Sequence, residues 1–113
     1  GDHANARIIN MSIEKINNLM KETLDEAVDL VHGTRAKDYG NVLINHAAIA
    51  QGWNVITKNA FETHGKITPA HVALMMDWVK SCRLLTTLDH KDSWVDKGGY
   101  TAIGSALSRV QDK

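Results

Sequence analysis

Charged residues fall inside the apolar faces of two successive predicted helices. On a helical wheel, Arg83 lies between Met76 and Val79 on the apolar face of one segment. Asp92 and Asp96 project into the apolar arc of the next segment. Charged side chains are rarely buried without a partner, because removing them from water is costly. If the two segments form an antiparallel hairpin, Arg83 comes level with Asp96, and the spacing predicts an ion pair or a functional site.

The site interpretation assigns metal chemistry to the two carboxylates. Two carboxylates one helical turn apart can share a divalent cation, and Mg²⁺ prefers such oxygen ligands. The side chains of Arg83 and Lys80 can hold the phosphates of a nucleotide beside that ion. A metal-activated water would attack the phosphate, so Asp92, Asp96 and Arg83 are the predicted catalytic residues, with Asp92 and Asp96 as the metal ligands. The residues predicted to bind the ligand are Lys80, Asn45, Tyr39, Arg35 and Tyr100.

A structural interpretation of the same residues stays open. In that interpretation, Asp92 caps the last helix and Asp96 neutralises Arg83, so that no ligand is involved. The chain would then be a non-catalytic helical module that oligomerises or binds a host protein. Magnesium-dependent nucleotide binding favours the site, whereas a stable complex formed through Trp94 without a ligand favours the module.

Length and charge restrict the classes of partner. A chain of 113 residues fits one domain with a hydrophobic core. Thirteen basic residues balance thirteen acidic residues, so nucleic acid is not a favoured partner. No run approaches the roughly 20 apolar residues of a membrane span, and the start of the chain lacks the apolar core of a signal peptide. We therefore expect a cytoplasmic protein without a membrane partner.

The other reactive side chains match no catalytic motif. Cys82 is the only cysteine and lies among apolar residues, which predicts a buried, unreactive thiol. The six histidines are scattered and lack a paired spacing such as HExxH. The sequence also has no GxSxG, Walker or GxGxxG pattern, which removes the commonest serine hydrolase, kinase and dinucleotide-binding functions.

Four helices must position the charged residues. Apolar residues at helical spacing predict helices over residues 12–32, 41–64, 69–88 and 93–111. We expect residues 1–11 to form a flexible N-terminal arm and residues 12–113 to form a single helical domain. No strand pattern is present in the sequence. The predicted fold is therefore an all-α four-helix bundle with short connections, in which the third and fourth helices form an antiparallel hairpin.

Cap and stop signals define these helix ends. Asn41 is a candidate cap of the second helix, and Thr68 followed by Pro69 is a strong start signal for the third. Gly33 and Gly65 can end the first and second helices. Asp92 or Ser93 is expected to begin the fourth helix.

The apolar surface predicts self-association. The stripe of the first helix contains Ile13, Ile16, Met20, Leu24, Ala27, Val28 and Val31. The predicted inward arc of the fourth helix contains Val95, Gly99, Ala102, Ile103, Ala106, Leu107 and Val110. Helices one and three present more apolar surface than a small bundle can cover, and Trp94 lies on the polar side of helix four as a candidate subunit contact. We therefore expect a homo-oligomer.

A series of positions from Leu24 onward carries a family resemblance. They are Arg35, Tyr39, Gly40, Asn45, Ile49, Ala50, Trp53, Ile67, Thr68, Pro69, Val72, Ala73, Met75, Met76, Lys80, Arg83, Leu84, Asp92, Ser93, Trp94, Asp96, Gly99 and Tyr100. At these positions the chain resembles a family of small all-helical proteins of bacteriophages and prophages. The family has no established activity to carry over, so the resemblance implies that these positions matter. For a phage-encoded chain it also implies the host cell cytoplasm.

A weaker analogy concerns the all-α nucleoside triphosphate pyrophosphohydrolases of the MazG type, which are similar in size and helical character. Those enzymes hold magnesium with ExxE on one helix and ExxD on another. Here the nearest matches, Glu22 with Asp25 and Glu26 with Asp29, face away from the apolar stripe, and the last helix carries DxxxD. This departure leaves the metal geometry different from that of the analogous enzymes.

Overall fold

The computed structural model describes residues 2–33 and 41–110. In these ranges it contains no β-strand and four helices, which we label α1 (Asp2–His32), α2 (Val42–His64), α3 (Pro69–Thr86) and α4 (Lys91–Val110). The chain separates into two compact units, residues 1–37 and 38–113, which are described one at a time. The predicted all-α class is confirmed.

Helix α1 forms over a stretch without glycine or proline. It begins at Asp2, whose negative charge suits a helix N-terminus, and it ends at His32. The helix starts earlier than the predicted residue 12. Its first residues include Ala4 and Ala6, which favour a helix, and they contain no glycine or proline that would break it. No residue of α1 is buried. The division of the chain into an arm and a single domain stays a prediction.

Helices α2 and α3 use the predicted caps. The Asn41 backbone is extended, and its Oδ1 accepts the backbone N–H of Ile44 at 3.1 Å. Gly65 ends α2 at a φ of 71°, a left-handed conformation that glycine adopts without strain. Thr68 caps α3, and Pro69 occupies its first turn. These predictions are confirmed.

Two tryptophans join α2 to α3. Trp53 Nε1 donates to the backbone carbonyl of Met75 at 2.9 Å, and Trp78 Nε1 donates to the carbonyl of Ala48 at 2.9 Å. Gly52 makes room for the second indole, because a Cβ at this position would lie 2.0 Å from Trp78 Nε1. The reciprocal bonds hold α2 antiparallel to α3.

Helices α3 and α4 form the predicted antiparallel hairpin. Ala73, near the start of α3, lies against Gly104, near the end of α4, where an added Cβ would be 3.1 Å from the Ala73 Cβ. Further along, Lys80 of α3 meets Asp96 of α4. Helices α2, α3 and α4 thus supply the antiparallel part of the predicted bundle, with α3 in contact with both neighbours.

Helix α4 turns a different face toward α3 from the predicted one. The expected inward residues Val95, Ile103 and Val110 are exposed at 61%, 50% and 62%. The residues withdrawn from solvent are instead Ser93, Lys97, Tyr100 and Gly104, together with Leu107, which the predicted arc contains. Gly104 lets the two backbones approach closely, which the larger residues of the apolar arc would prevent. The predicted inward arc is therefore wrong except at Leu107.

The core of the described residues is small and mixed. Its buried apolar residues are Ala60, Ala73, Cys82 and Leu84, and its buried polar residues are Asn45, Thr68, His71 and Ser93. Asn45, a predicted ligand-binding residue, is one of these buried polar residues. Within the described ranges, none of the helices has the length and hydropathy needed to cross a membrane.

Candidate functional site

Two ion pairs lie between α3 and α4 on adjacent helical turns. Lys97 Nζ of α4 donates to both carboxylate oxygens of Asp77 at 3.0 Å and to Ser81 Oγ at 2.5 Å. Lys80 Nζ of α3 lies 3.0 Å from Asp96 Oδ2. We call Asp77, Lys80, Ser81, Asp96 and Lys97 the charged seam.

The charged seam is partly withdrawn from water. Only 21% of the Lys97 side chain and 23% of the Lys80 side chain are exposed, while the side chains of Asp77 and Asp96 are 30% and 46% exposed. The surface pair of Lys21 and Asp25 is far more open, at 75% and 63%. Solvent and salt therefore screen the charges of the seam less than those of an ordinary surface pair.

Helical spacing brings the members of the seam together. Asp77, Lys80 and Ser81 stand three and four residues apart, so they share one face of α3. Asp96 and Lys97 are adjacent on α4, and the antiparallel direction matches each to the opposite charge. The apolar pattern of α4 does not predict Lys97, because this residue lies outside the apolar arc on the helical wheel. The alternation of Asp77 and Lys80 against Asp96 and Lys97 is the signal that could have identified it.

The structure brings together only part of the predicted catalytic set. Asp96 is paired with Lys80, which lies one turn before Arg83 on α3. Arg83 itself is half-buried on α3, and Asp92 is exposed one turn before Asp96 on α4. The hairpin register is therefore shifted by about one turn from the one in which Arg83 meets Asp96.

The predicted ligand-binding residues are distributed over α2 and α4. Asn45 is 8% exposed, and the α2–α3 register places it level with Arg83. Tyr100 is half-buried on α4, one turn beyond Lys97. Tyr39 and Arg35 lie outside the described residues.

A groove of about 320 Å³ continues the charged seam toward the start of α3. Asp77 and Tyr100 lie at the end that meets the seam. The other lining residues, most of them small, are Ala70, Ala73, Leu74, Thr101, Gly104, Ser105 and Ser108. Because Asp77 belongs to both, the groove and the seam form one continuous surface.

The described residues include no group of three or more histidine, cysteine or acidic side chains that could hold a metal ion. Asp92 and Asp96 supply two carboxylates, four residues apart on α4. Mg²⁺ is commonly held by one or two carboxylates, with water and substrate phosphates completing its shell. The donor set therefore fits a magnesium ion that arrives with a phosphate ligand better than a permanently bound one.

Two buried polar groups lie outside the seam. His71 is 6% exposed, and its ring nitrogens lie 2.6 Å from Thr68 Oγ1 and 3.0 Å from Asn59 Oδ1, so it links α3 to α2. Its position three residues after the Thr68 cap could have indicated this role. Burial raises the pKa of the Cys82 thiol, which is 2% exposed, and the predicted burial of this cysteine is confirmed.

Trp94 lies in the first turn of α4 and contacts the connection that precedes this helix. Its Nε1 donates to the backbone carbonyl of Leu88 at 2.9 Å, while 51% of the residue remains exposed. The indole therefore braces the turn and still presents an aromatic surface to solvent. Its role in a subunit contact stays a prediction.

Comparisons with known proteins support a phage connection. The sequence model of DUF6378, a domain of unknown function, matches residues 22–108. The chain is 32% identical over 90 residues to the Gene 55 protein of Mycobacterium phage L5, in an alignment that covers 80% of this chain and 54% of that protein. The chain thus spans about half the length of that relative. No solved structure matches, so the analogy to MazG-type enzymes stays a prediction.

Proposed function

The chain belongs to the DUF6378 family, in agreement with its resemblance to bacteriophage proteins, and on this premise we propose that the charged seam binds a nucleotide together with Mg²⁺. Hydrolysis of a phosphate bond of that nucleotide is the proposed reaction. The nucleoside would lie in the groove beside Tyr100, and the phosphates would lie along the seam.

The observation that carries this proposal is the face that α4 turns toward α3. The helix turns Lys97 and Tyr100 toward α3 and leaves Val95 and Ile103 exposed. Replacing a buried ion pair with well-packed apolar residues of similar volume is often neutral or stabilising. Stability alone thus gives little reason for charged groups at this seam, whereas a ligand with phosphates gives one.

The free seam has the charges that a magnesium–nucleotide complex requires. Lys80 and Lys97 supply ammonium groups for phosphate oxygens, and Arg83 lies on the same helix as a further cation. Binding of phosphate to Lys80 would release Asp96 from its ion pair. Asp96, with Asp92 one turn before it, could then share the metal with the phosphates.

Each group has a defined part in the proposed reaction. Bound Mg²⁺ would neutralise phosphate charge and activate a water molecule. Lys80 and Arg83 would stabilise the negative charge that develops on the phosphate. The groups that would orient the nucleotide are Asn45, Tyr39, Arg35 and Tyr100.

Calorimetry with inorganic triphosphate and a panel of nucleotides, with and without Mg²⁺, tests the binding. Lys80→Ala should weaken binding of the magnesium complexes at least about tenfold, since a charge-assisted hydrogen bond contributes roughly 1.5–3 kcal/mol. Asp96→Asn should remove the dependence on Mg²⁺. Lys58→Ala is the matched control, because Lys58 forms an exposed surface pair with Glu62 at 4.0 Å.

Turnover is tested separately by measuring release of phosphate or pyrophosphate. If the parent protein binds none of these ligands, the nucleotide proposal is wrong. Binding without product release would leave a nucleotide-binding protein that is not a hydrolase.

A second candidate, a non-catalytic helical module, is favoured by the exposed apolar arc of α4. Val95 and Ile103 of that arc and the nearby Trp94 are all at least half-exposed. Large exposed apolar patches commonly mark protein–protein contacts. A complex with a second protein that Trp94→Ala dissociates, in the absence of any bound nucleotide, would support this candidate.

A further inference from the structure

Helix α1 carries a long apolar stripe along one side. The helix has 31 residues, and none of them is buried. Between residues 9 and 31, the positions within about 40° of one line on its surface are Ile9, Ile13, Ile16, Met20, Leu24, Ala27 and Val31. Apart from Ala27, all of these are large apolar residues exposed by half or more. We call these seven residues the α1 stripe.

The spacing of the α1 stripe is symmetric about Met20. The steps between its members are four, three, four, four, three and four residues. This pattern repeats every eleven residues, close to the natural period of a straight α-helix. The residues equidistant from Met20 are Ile9 and Val31, Ile13 and Ala27, and Ile16 and Leu24. A second copy of the helix, running in the opposite direction, therefore presents an apolar residue at every level of the stripe.

The borders of the α1 stripe are largely free of charge. Four uncharged polar residues flank it, namely Asn10, Ser12, Asn17 and Thr23. Most charged residues of α1 lie further round the helix, so pairing along the stripe would leave them in water. The cost of removing charges from water is thus avoided.

The distribution of charge along α1 selects the antiparallel direction. Residues 22–32 hold four acidic residues and no lysine or arginine, whereas the three basic residues before residue 22 are balanced only in part by Asp2 and Glu14. A parallel pair would place the two acidic segments at the same end of the dimer, while an antiparallel pair places them at opposite ends, which lowers their mutual repulsion.

We propose that two copies of this chain pair through their α1 stripes, antiparallel, with the two-fold axis at Met20. The contact is self-complementary, because each level of the stripe meets the residue equidistant from Met20 on the second copy. It extends over about 33 Å of helix, from Ile9 to Val31. The pairing is independent of nucleotide binding and holds whether or not the charged seam is a site.

Disulfide cross-linking between cysteine variants tests the direction of the pair. With diamide as the oxidant, Met20→Cys should form a covalent dimer. Ile13→Cys alone should form none, because its two copies lie about 21 Å apart in an antiparallel pair. A mixture of Ile13→Cys and Ala27→Cys should form the heterodimer. The parent protein is the control, since its one cysteine, Cys82, is buried.

Light scattering of charged variants tests the surface. Ile16→Glu should halve the mass of the parent dimer. Met11→Glu should leave the mass unchanged, because Met11 is 63% exposed on the side of α1 opposite Met20. A monomeric parent protein, a dimer that persists in Ile16→Glu, or Ile13→Cys cross-linking as readily as Met20→Cys would each overturn the proposal.

Discussion

At the scale of single residues, the ion pair of Lys97 and Asp77 is the part of the α3–α4 contact that a single substitution tests most directly. Lys97→Ala leaves Asp77, which is 30% exposed, without its cation and Ser81 without its hydrogen bond. We expect a loss of about 1–2 kcal/mol in the free energy of unfolding, less than for a fully buried pair because water still reaches the carboxylate. Urea unfolding measures this loss.

The exposed pair of Lys21 and Asp25 supplies the control for that measurement. Lys21→Ala should change the unfolding free energy by no more than about 0.5 kcal/mol. A double change of Lys97 to Met and Asp77 to Leu should recover much of the loss seen with Lys97→Ala. If Lys97→Ala is as neutral as Lys21→Ala, the seam contributes nothing to the fold.

Gly52 permits the packing of Trp78 because it has no side chain. In Gly52→Ala the new Cβ would overlap the Trp78 ring and displace its hydrogen bond to Ala48. We expect a loss of about 1–3 kcal/mol, typical of overpacking. Gly98→Ala is the matched control, because a Cβ there meets nothing within 4 Å. That control should gain roughly 0.5–1 kcal/mol from helix propensity, and equal effects of the two changes would contradict the packing of Trp78.

At the scale of helices, local signals predicted more than packing did. Asn41, Thr68 and Gly65 identify helix ends because capping depends on neighbours in sequence. The face that α4 presents to α3 depends instead on how closely two backbones can approach, which Gly104 and Ala73 decide together. A helical wheel of one helix does not show how closely a second helix can approach it.

The residues of the candidate site could likewise be predicted only as far as the pattern of one helix shows them. Asp96 and Asn45 lie within apolar arcs and Lys80 lies beside one, so the sequence names all three as candidates. Hydrophobicity alone assigns Lys97 to the solvent side of α4, and only the alternation of charges along the two helices indicates its ion pair.

Truncation of α4 and α3 side chains measures which face is packed. Ile103→Ala removes a side chain of a residue that is 50% exposed and should cost less than about 1 kcal/mol. Leu84→Ala removes a side chain of a residue that is 4% exposed and should cost about 2–5 kcal/mol. If thermal unfolding shows comparable losses of stability for both variants, the apolar arc of α4 is packed in solution and not exposed.

At the scale of the whole molecule, the proposed dimer links stability to protein concentration. An association that requires folded chains stabilises them by mass action. The thermal midpoint of the parent should therefore rise with protein concentration, whereas the midpoint of Ile16→Glu should not. Differential scanning calorimetry over a wide concentration range measures both, and a parent midpoint that stays constant would contradict the coupling.

The placement of the tryptophans determines what spectroscopy can observe. Trp53 and Trp78 join α2 to α3, Trp94 braces the turn before α4, and α1 contains no tryptophan or tyrosine. Indole fluorescence therefore monitors the second unit alone, while far-ultraviolet circular dichroism also records the 31 residues of α1. The difference between the two melting curves isolates the unfolding of α1 without an added label.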